Sequence, residues 1–546
     1  ALTGSDDLRL WLYHSRRDGS LRLKLYRLND DIPLSDALPM MENMGLRVIA
    51  EHLNRISADG RTLFIQDFEV EAGAEIDLDS MAPEFEDAFV RLWRGEAEND
   101  GFNKLILAAS LDWRQVSMLR AYCKYLLQIE SPFSQAYMEQ TLLRYPLVAR
   151  LLVELFEARF APKGRDTDAA RLRAQFELLA GGDAAAAAAL KPVAEARRLS
   201  RDGRQEKVHD ALRTLLDRVA SLDEDRILRS FMGVIDATLR TSFYQRGKDG
   251  NDKDYAAFKL DCARVPDLPK PHPYREVFVY GPQVEGVHLR YGMVARGGLR
   301  WSDRREDFRT EVLGLVKAQA VKNTVIVPVG AKGGFIAKRL PEGGDRDAIQ
   351  AEGIACYKRF ISGLLDVTDN IVDGEIVPPQ DVVRHDDVDT YMVVAADKGT
   401  ATFSDIANGI SAEYNFWLGD AFASGGSVGY DHKGMGITAK GAWESVKRHF
   451  RALGIDCQKQ DFTAVGIGDM SGDVFGNGMR LSKHIRLVGA FDHRHVFIDP
   501  DPDAAASFKE RDRLFKTPRS SWDDYDRKLI SKGGGVWPRS AKSIPV

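Results

Sequence analysis

The sequence predicts a multidomain α/β protein built from several structural units. Its 546 residues exceed what one hydrophobic core usually serves, which favours about three to four units. Apolar residues alternate as in strands near the start, take a helical spacing between about 84 and 223, and form short β-rich runs between helices from 275 onward. These changes predict a small α+β unit, a helical spacer and a region with a parallel or mixed sheet and crossover helices.

Composition and charge exclude several classes of protein. Hydrophobic residues make up 44% and charged residues 29%, as in ordinary globular proteins. A formal charge of -5 argues against a nucleic-acid binder. No apolar stretch reaches the roughly 18 residues that would span a bilayer. The cysteines are too far apart for a disulfide framework or a cysteine zinc site, which favours a cytoplasmic location; they are Cys123, Cys262, Cys356 and Cys457.

The first 83 residues have the pattern of a small α+β unit. Alternating leucines on both sides of Asp18-Gly19 predict a β-hairpin. A helix over 35–44 and strands over 46–51 and 61–71 complete the unit. This mix of elements resembles the ACT-like modules that often bind amino acids or mediate assembly. No ligand motif is visible, so we expect packing, and amino-acid binding is the alternative.

Residues 84–223 are predicted to form a helical spacer. Trp113, Val116, Leu119 and Cys123 lie on one helical stripe. Further helices are predicted over 133–160 and 204–222. The alanine run from 184 to 189 is explained by helix propensity alone.

A strand that runs into a glycine pair provides the first candidate site residue. Arg275–Tyr280 and Val287–Val294 are predicted strands, and the second leads into Arg296-Gly297-Gly298. Glycines let the backbone approach a ligand closely, and a guanidinium suits bidentate binding of a carboxylate. Taken alone, the segment is also typical of a surface arginine before a turn.

Two lysines follow in a second segment of the same kind. Apolar residues spaced from Phe308 to Ala320 predict a helix that ends near Lys322, and 323–329 is a predicted strand into a turn at Gly330-Ala-Lys332-Gly-Gly. A phosphate loop is excluded because Gly333, not a hydroxyl residue, follows Lys332. A lysine partly withdrawn from water beside other cations can act as a base. Lys332 is therefore the best catalytic candidate.

These segments resemble the substrate domain of amino-acid dehydrogenases, and most closely that of the large NAD-dependent glutamate dehydrogenases of bacteria. The resemblance implies that Arg296 and Lys322 bind substrate carboxylates and that Lys332 activates water. This chain departs from the pattern at 296, where arginine replaces lysine. Leucine and phenylalanine dehydrogenases tend to carry an apolar residue there, so a cation favours an acidic substrate side chain.

The resemblance also identifies a proton carrier. Asp397, which follows the apolar run 392–396, matches the family aspartate that exchanges a proton with the amino nitrogen. Asp381, in Pro378-Pro-Gln-Asp381, is the rival, and the spacing from Ile406 to Tyr414 favours Asp397. A structural ion pair with the lysines is the simpler alternative for this carboxylate.

The last hundred residues predict part of a Rossmann-type nucleotide domain. The resemblance places Thr438 against the nicotinamide amide. Phe462–Val465 is a predicted buried strand, and the turn after it, with Gly466, Gly468 and Ser471, can hold a pyrophosphate. The fingerprint is imperfect because Ser471 occupies the third glycine position.

An acidic residue after the next strand predicts the choice of cofactor. Ile485–Phe491 ends at Asp492, where a carboxylate accepts the ribose hydroxyls and disfavours a 2'-phosphate, so NAD is expected rather than NADP. His493 and His495 are interpreted as loop residues, and no metal site is predicted. We expect only one β-α-β unit of this domain within the chain.

The sequence thus predicts four regions, 1–83, 84–223, 224–440 and 441–546, in a segment of a longer cytoplasmic polypeptide that forms a homo-oligomer. The expected activity is oxidation of L-glutamate by NAD to 2-oxoglutarate and ammonia, with little or no activity in the segment alone. The alternatives are a regulatory or assembly segment that senses amino acids, and a dehydrogenase for an apolar amino acid. We expect Arg296, Lys322, Lys332 and Asp397 to converge in one cleft.

Overall fold

The structure is a computed structural model, and it describes residues 8–58, 60–73, 78–318, 329–341, 343, 345–395, 401–429 and 431–544. The chain divides into two compact units. The first unit comprises Ala1–Asp397 with Ile406–Ala423, and the second comprises Lys398–Asp405 with Ser424–Val546.

The first unit opens with a four-stranded antiparallel sheet of order β1-β2-β4-β3. Its elements are β1 (Leu8–His14), β2 (Leu21–Leu28), α1 (Leu34–Asn43), β3 (Leu46–Ala58) and β4 (Arg61–Ala72). The predicted hairpin is confirmed, because Leu10 pairs with Leu25 across β1 and β2 and both are buried. The predicted strand over 46–51 was too short: β3 continues to Ala58, paired with β4 although this end is exposed.

The predicted helical region follows. Its helices are α2 (Leu78–Trp93), α3 (Leu105–Ala108), α4 (Trp113–Gln128), α5 (Gln135–Arg144), α6 (Pro146–Phe160), α7 (Ala169–Ala180), α8 (Ala184–Glu195), α9 (Arg201–Leu216) and α10 (Leu222–Ala237). The predicted helix over 133–160 is two helices, because Pro146 lacks an N–H and begins α6. The predicted helix over 204–222 ends too late, since α9 stops at Leu216 and α10 begins at Leu222.

A mixed sheet of order β10-β11-β8-β7-β6-β5 then forms the centre of the first unit, with β9 also paired to β11. Its strands and the helix before β11 are β5 (Thr238–Thr241), β6 (Ala256–Leu260), β7 (Arg275–Tyr280), β8 (Val284–Arg290), β9 (Ala295–Arg296), β10 (Leu299–Trp301), α11 (Phe308–Lys317) and β11 (Val329–Ala337). Strands β9 and β10 run parallel to β11, and the other pairs are antiparallel.

Two predictions in this region need correction. The strand predicted over Val287–Val294 has the wrong bounds, because β8 covers Val284–Arg290 and the chain bends after Arg290. The segment Gly330–Gly334 is not a turn but part of β11, which pairs with β8 on one side and with β9 and β10 on the other. A run of glycines often indicates a turn, but in β11 the missing side chains let residues of β10 and α11 pack closely against the strand.

Gly297 illustrates that packing. A Cβ at Gly297 would lie 1.4 Å from the carbonyl oxygen of Ala331 in β11. A Cβ at Gly333 would meet Leu299 Cδ2 at 2.4 Å, and one at Gly334 would meet Val312 Cγ2 at 2.6 Å. The sequence predicted that the backbone at Gly297 approaches a ligand. In the structure it approaches the neighbouring strand β11.

The elements after β11 are α12 (Arg346–Asp366), β12 (Asn370–Val372), β13 (Glu375–Val377), β14 (Val394–Ala395), α13 (Ala401–Glu413) and β15 (Ala423–Ser424). β12 pairs with β13, and β14 pairs with β15. A continuous hydrophobic core joins the first sheet, the helices and the mixed sheet of the first unit, from Leu8 to Ile336.

The second unit contains a four-stranded sheet of order β16-β17-β18-β19. Its elements are α14 (His432–Met435), α15 (Ile437–Ala452), β16 (Phe462–Ile467), α16 (Asp473–Gly478), β17 (Ile485–Phe491), β18 (His495–Ile498), α17 (Ala504–Lys516) and β19 (Gly535–Pro538). Strands β16 and β17 are parallel. The prediction that β16 is buried on both faces is wrong. Phe462, on one face of the strand, joins the core, whereas Val465, on the other face, is 74% exposed.

Within the described ranges, no helix combines the length and the apolar character needed to cross a bilayer.

A buried ion pair ties α11 to the mixed sheet. Nε and Nη2 of Arg309 donate to the Glu276 carboxylate at 2.8 Å each, and Tyr125 of α4 donates to the same carboxylate at 3.2 Å. Burial opposes the charge of Arg309, but Glu276 outweighs it and raises the pKa of the guanidinium. Both side chains are fully buried, so the charge of each one offsets the cost of removing the other from water.

Glu276→Gln is expected to lower the free energy of unfolding by about 3–5 kcal/mol, because it leaves the Arg309 charge buried without a counter-ion. Glu413→Gln is the control, since its partner Lys248 is exposed and surface pairs contribute little. Urea denaturation followed by circular dichroism measures both. Equal midpoints for the two variants would contradict the prediction.

Gly297→Ala is expected to lower the melting temperature, because the new methyl group overlaps the Ala331 carbonyl and must separate β9 from β11. Gly314→Ala is the matched control: Gly314 lies in α11 with open space at its Cβ position, and alanine there stabilises by about 0.4–1 kcal/mol. The two substitutions should thus have opposite signs in a thermal melt. A melting temperature unchanged by Gly297→Ala would refute the close approach.

Candidate active site

Arg296 and Lys332, two of the predicted site residues, lie on neighbouring strands of the mixed sheet. Arg296 of β9 is in register with Gly330 of β11, and Lys332 follows two residues later on β11. Lys332 is only 4% exposed, whereas Arg296 is partly exposed. The parallel pairing of β9 with β11 therefore brings a buried ammonium and a more accessible guanidinium into one part of the sheet.

The other two residues of the predicted cluster, Lys322 and Asp397, lie outside the described residues, so the convergence of all four stays a prediction. The rival of Asp397 is described. Asp381 is exposed, with a backbone φ of 55°, in the loop after Pro378-Pro379.

A group of buried charges that the sequence reasoning missed lies on the strands of the same sheet. Residues 384–391, called here the aspartate segment, have no regular secondary structure. Two of their carboxylates bind cations from different strands. Asp386 accepts from Arg240 of β5 at 2.5 Å and from Lys259 of β6 at 2.6 Å. Asp389 accepts from Lys259 at 2.6 Å and from both terminal nitrogens of Arg290, at the end of β8.

Main-chain groups of the aspartate segment are held as well. Arg290 Nη1 donates to the Tyr391 carbonyl at 3.0 Å, and Arg240 Nη2 donates to the Asp387 carbonyl at 2.7 Å. The Asp389 N–H donates to the Asp369 carboxylate at 2.7 Å. A segment without helix or strand is thereby attached to three strands of the sheet. The signal in the sequence was the group of acids in His385-Asp-Asp-Val-Asp389, just before the apolar run.

Charge within this group is unequally distributed. Burial and the nearby guanidinium groups of Arg240 and Arg290 lower the pKa of Lys259 to about 7, against the attraction of Asp386. Burial would raise the pKa of Asp386, but Lys259 and Arg240 lower it. Since Lys259 carries less than a full charge near neutrality, the two guanidinium groups are the constant cations of the group.

In the second unit, glycines at the predicted pyrophosphate turn make room for a helix side chain. A Cβ at Gly466 would lie 2.3 Å from Cε2 of Phe475 in α16, and Gly468 has a φ of 136°. The Asp469 carboxylate accepts from the N–H groups of Ser471 and Gly472 at 2.9 and 3.2 Å. The parallel strands β16 and β17, with α16 between them, form a β-α-β unit. The predicted contact of its turn with a pyrophosphate stays a prediction.

The two remaining predicted cofactor residues differ in exposure. Thr438 is exposed in the first turn of α15. Asp492 is 6% exposed, and its carboxylate accepts from Arg494 N–H, His495 N–H and Ser521 Oγ at 2.7, 2.7 and 3.0 Å. The carboxylate thus closes the turn between β17 and β18. Its predicted contact with ribose hydroxyls stays a prediction and would require exchange of at least one of these bonds.

As a whole, the mixed sheet offers cations for a carboxylate substrate and a buried lysine for proton transfer. In the described part of the chain, no group of three or more histidine, cysteine, aspartate or glutamate side chains could hold a metal ion. Side chains of the types found at Arg296 and Lys332 can bind a carboxylate and exchange a proton.

Comparison with known proteins gives consistent matches along the chain. Residues 211–546 match the family model for the catalytic domain of bacterial NAD-glutamate dehydrogenase. Residues 97–162 match helical motif 3 of glutamate dehydrogenase, and residues 7–81 match its ACT3 domain. The ACT-like and helical parts of the predicted α/β multidomain fold are thus supported.

Curated relatives agree with these family models. The chain is 58% identical to the NAD-specific glutamate dehydrogenase of Halomonas elongata over 99% of this chain and 31% of that protein. It is 57% identical to that of Pseudomonas aeruginosa over 96% of this chain and 31% of the relative. It is 54% identical to that of Mycobacterium tuberculosis over 98% of this chain and 32% of the relative. The chain spans about a third of the length of these relatives, and it belongs to the bacterial NAD-glutamate dehydrogenase family.

Proposed function

We propose that this chain carries the substrate-binding and acid–base residues for oxidation of L-glutamate by NAD to 2-oxoglutarate and ammonia. The observation that supports the proposal most is the pairing of β9 with β11, which puts Arg296 and the buried Lys332 on neighbouring strands. An acidic substrate needs a cation at each carboxylate. Arg296 and Lys322 serve this role, and Arg296 favours an acidic side chain over an apolar one.

The proposed acid–base steps use two residues. NAD supplies the acceptor for the hydride that leaves the α-carbon of glutamate. Lys332 takes a proton from the water that attacks the resulting iminium carbon, and its ammonium form then donates a hydrogen bond to the new hydroxyl group. Asp397 carries the proton to the amino nitrogen as ammonia leaves. The products are 2-oxoglutarate, ammonium and the reduced nucleotide.

The proposed nucleotide contacts all lie in the second unit. Gly466, Gly468 and Ser471 hold the pyrophosphate, Thr438 contacts the nicotinamide amide, and Asp492 accepts from the ribose. The support for this assignment is the β16–α16–β17 arrangement, with its parallel strands and glycine turn.

The remaining proposals concern the whole polypeptide. We propose a cytoplasmic homo-oligomer with the four predicted regions, 1–83, 84–223, 224–440 and 441–546. Family models that match 7–81, 97–162 and 211–546 support the first three regions in outline. Because the chain covers about a third of its relatives, activity is best measured in a chimaera in which it replaces the matching part of the Pseudomonas aeruginosa relative, beside the chain alone.

Lys332→Ala in this chimaera is expected to reduce kcat for glutamate oxidation by at least about 10²-fold, because the water loses its base. Binding of NAD, measured by titration calorimetry, should be unchanged. Lys358→Ala, at an exposed position of α12, is the control and should retain the parent rate. Normal turnover by Lys332→Ala would refute the catalytic assignment.

Arg296→Leu tests the substrate. We expect kcat/KM for glutamate to fall by about tenfold or more, since the substrate loses a charge-assisted hydrogen bond, while leucine and phenylalanine lose little. A steady-state panel with the three amino acids compares parent and variant. A parent chimaera that prefers leucine or phenylalanine would instead support a dehydrogenase for apolar amino acids.

A further inference from the structure

We infer that Asp389 is a positioning residue, which through Arg290 holds the segment leading to Asp397 against the strands that carry Arg296 and Lys332. This inference rests on the function proposed above and extends it to residues that do not touch the substrate. The support comes from the aspartate segment and the cations of the mixed sheet.

The first step is the link between Asp389 and the catalytic strand. Arg290, the last residue of β8, is in register with Ala331 of β11, the immediate neighbour of Lys332. Its guanidinium donates to both carboxylate oxygens of Asp389. Arg290 also precedes Arg296 by only six residues. One bidentate ion pair therefore joins the aspartate segment to the strand pair that determines the position of Lys332.

The second step is the link between Asp389 and the proton carrier. Asp389 precedes Asp397 by eight residues. Between them, Arg290 binds the Tyr391 carbonyl at 3.0 Å, Met392 is 4% exposed, and the Val394 N–H donates to the Phe422 carbonyl at 2.8 Å. The chain is thus fixed from Asp389 as far as β14, two residues before Asp397.

The third step is the cost of such an arrangement. Arg240, Lys259, Asp369 and Arg290 are at most 4% exposed and Asp389 is 7% exposed. Buried ion pairs often stabilise a fold no better than apolar residues of similar volume. A bidentate ion pair does, however, fix the relative orientation of its two partners, which an apolar contact does not. A bidentate pair between a loop and a strand fits a role in alignment, where an error of about 1 Å can reduce a rate about 10²-fold.

The test is Asp389→Asn in the chimaera, with Asp100→Asn as the matched control. Asp100 forms a pair with the buried Arg120 at 2.8 Å, and its other hydrogen-bond donors, Phe102 and Gln135, lie in the helical region. We expect Asp389→Asn to lower kcat per folded molecule by about tenfold or more while KM for NAD stays within about twofold. Asp100→Asn should keep the parent kcat, even where its melting temperature falls as far.

Hydrogen exchange gives a readout that does not depend on activity. In Asp389→Asn, amides from 384 to 395 should exchange faster than in the parent, whereas amides of the first sheet should not change. If the parent chimaera fails to oxidise glutamate, the proposed function fails, and this exchange pattern still decides whether Asp389 holds the segment.

Arg290→Lys decides the matter if Asp389→Asn does not fold. Lysine keeps the charge, but one ammonium cannot serve both Asp389 oxygens and the Tyr391 carbonyl with the geometry of a guanidinium. We expect a reduced kcat at a melting temperature near that of the parent. A kcat within about twofold of the parent in a folded Asp389→Asn or Arg290→Lys protein, or an equal loss in Asp100→Asn, would overturn the inference.

Discussion

The pairing of β11 on both of its sides is the constraint on which the rest of this structure depends. β8 binds it in antiparallel fashion and β9 and β10 bind it in parallel fashion, so Lys332 is buried in the sheet while Arg296 approaches from the neighbouring strand. The pairing requires glycine at 297, where a side chain would overlap the Ala331 carbonyl. The glycines that resemble a ligand-binding turn in the sequence therefore have at least one structural reason to be there.

Buried charges on the strands of this sheet connect it to the elements around it. Glu276 of β7 binds Arg309 of α11 and so attaches that helix to the sheet. Arg240, Lys259 and Arg290 bind the aspartate segment. Such pairs contribute little net stability compared with apolar packing, but removal of one partner is costly. They restrict where α11 and the aspartate segment can lie, and both precede residues with proposed roles, Lys322 and Asp397.

Membership of the bacterial NAD-glutamate dehydrogenase family gives these contacts their proposed meaning. The family model covers the mixed sheet and the second unit together. The first sheet and the helices before it match the family's ACT3 domain and helical motif. They share a continuous core with the mixed sheet, so the ACT-like part is packed against the rest of the first unit.

The sequence by itself determined the elements with clear periodicity and the family. Leucine alternation predicted β1 and β2, the apolar stripe predicted α4, and the segments around Arg296 and Lys332 indicated the family through their resemblance to bacterial NAD-dependent glutamate dehydrogenases. Local patterns could not show that Gly330–Gly334 lies within a strand, because a glycine run has the same composition in a turn and in a crowded sheet. They could not show the aspartate segment either, since its cations come from strands 99 to 147 residues earlier in the chain. Those features follow from contacts between distant parts of the chain, and only the tertiary structure decided them.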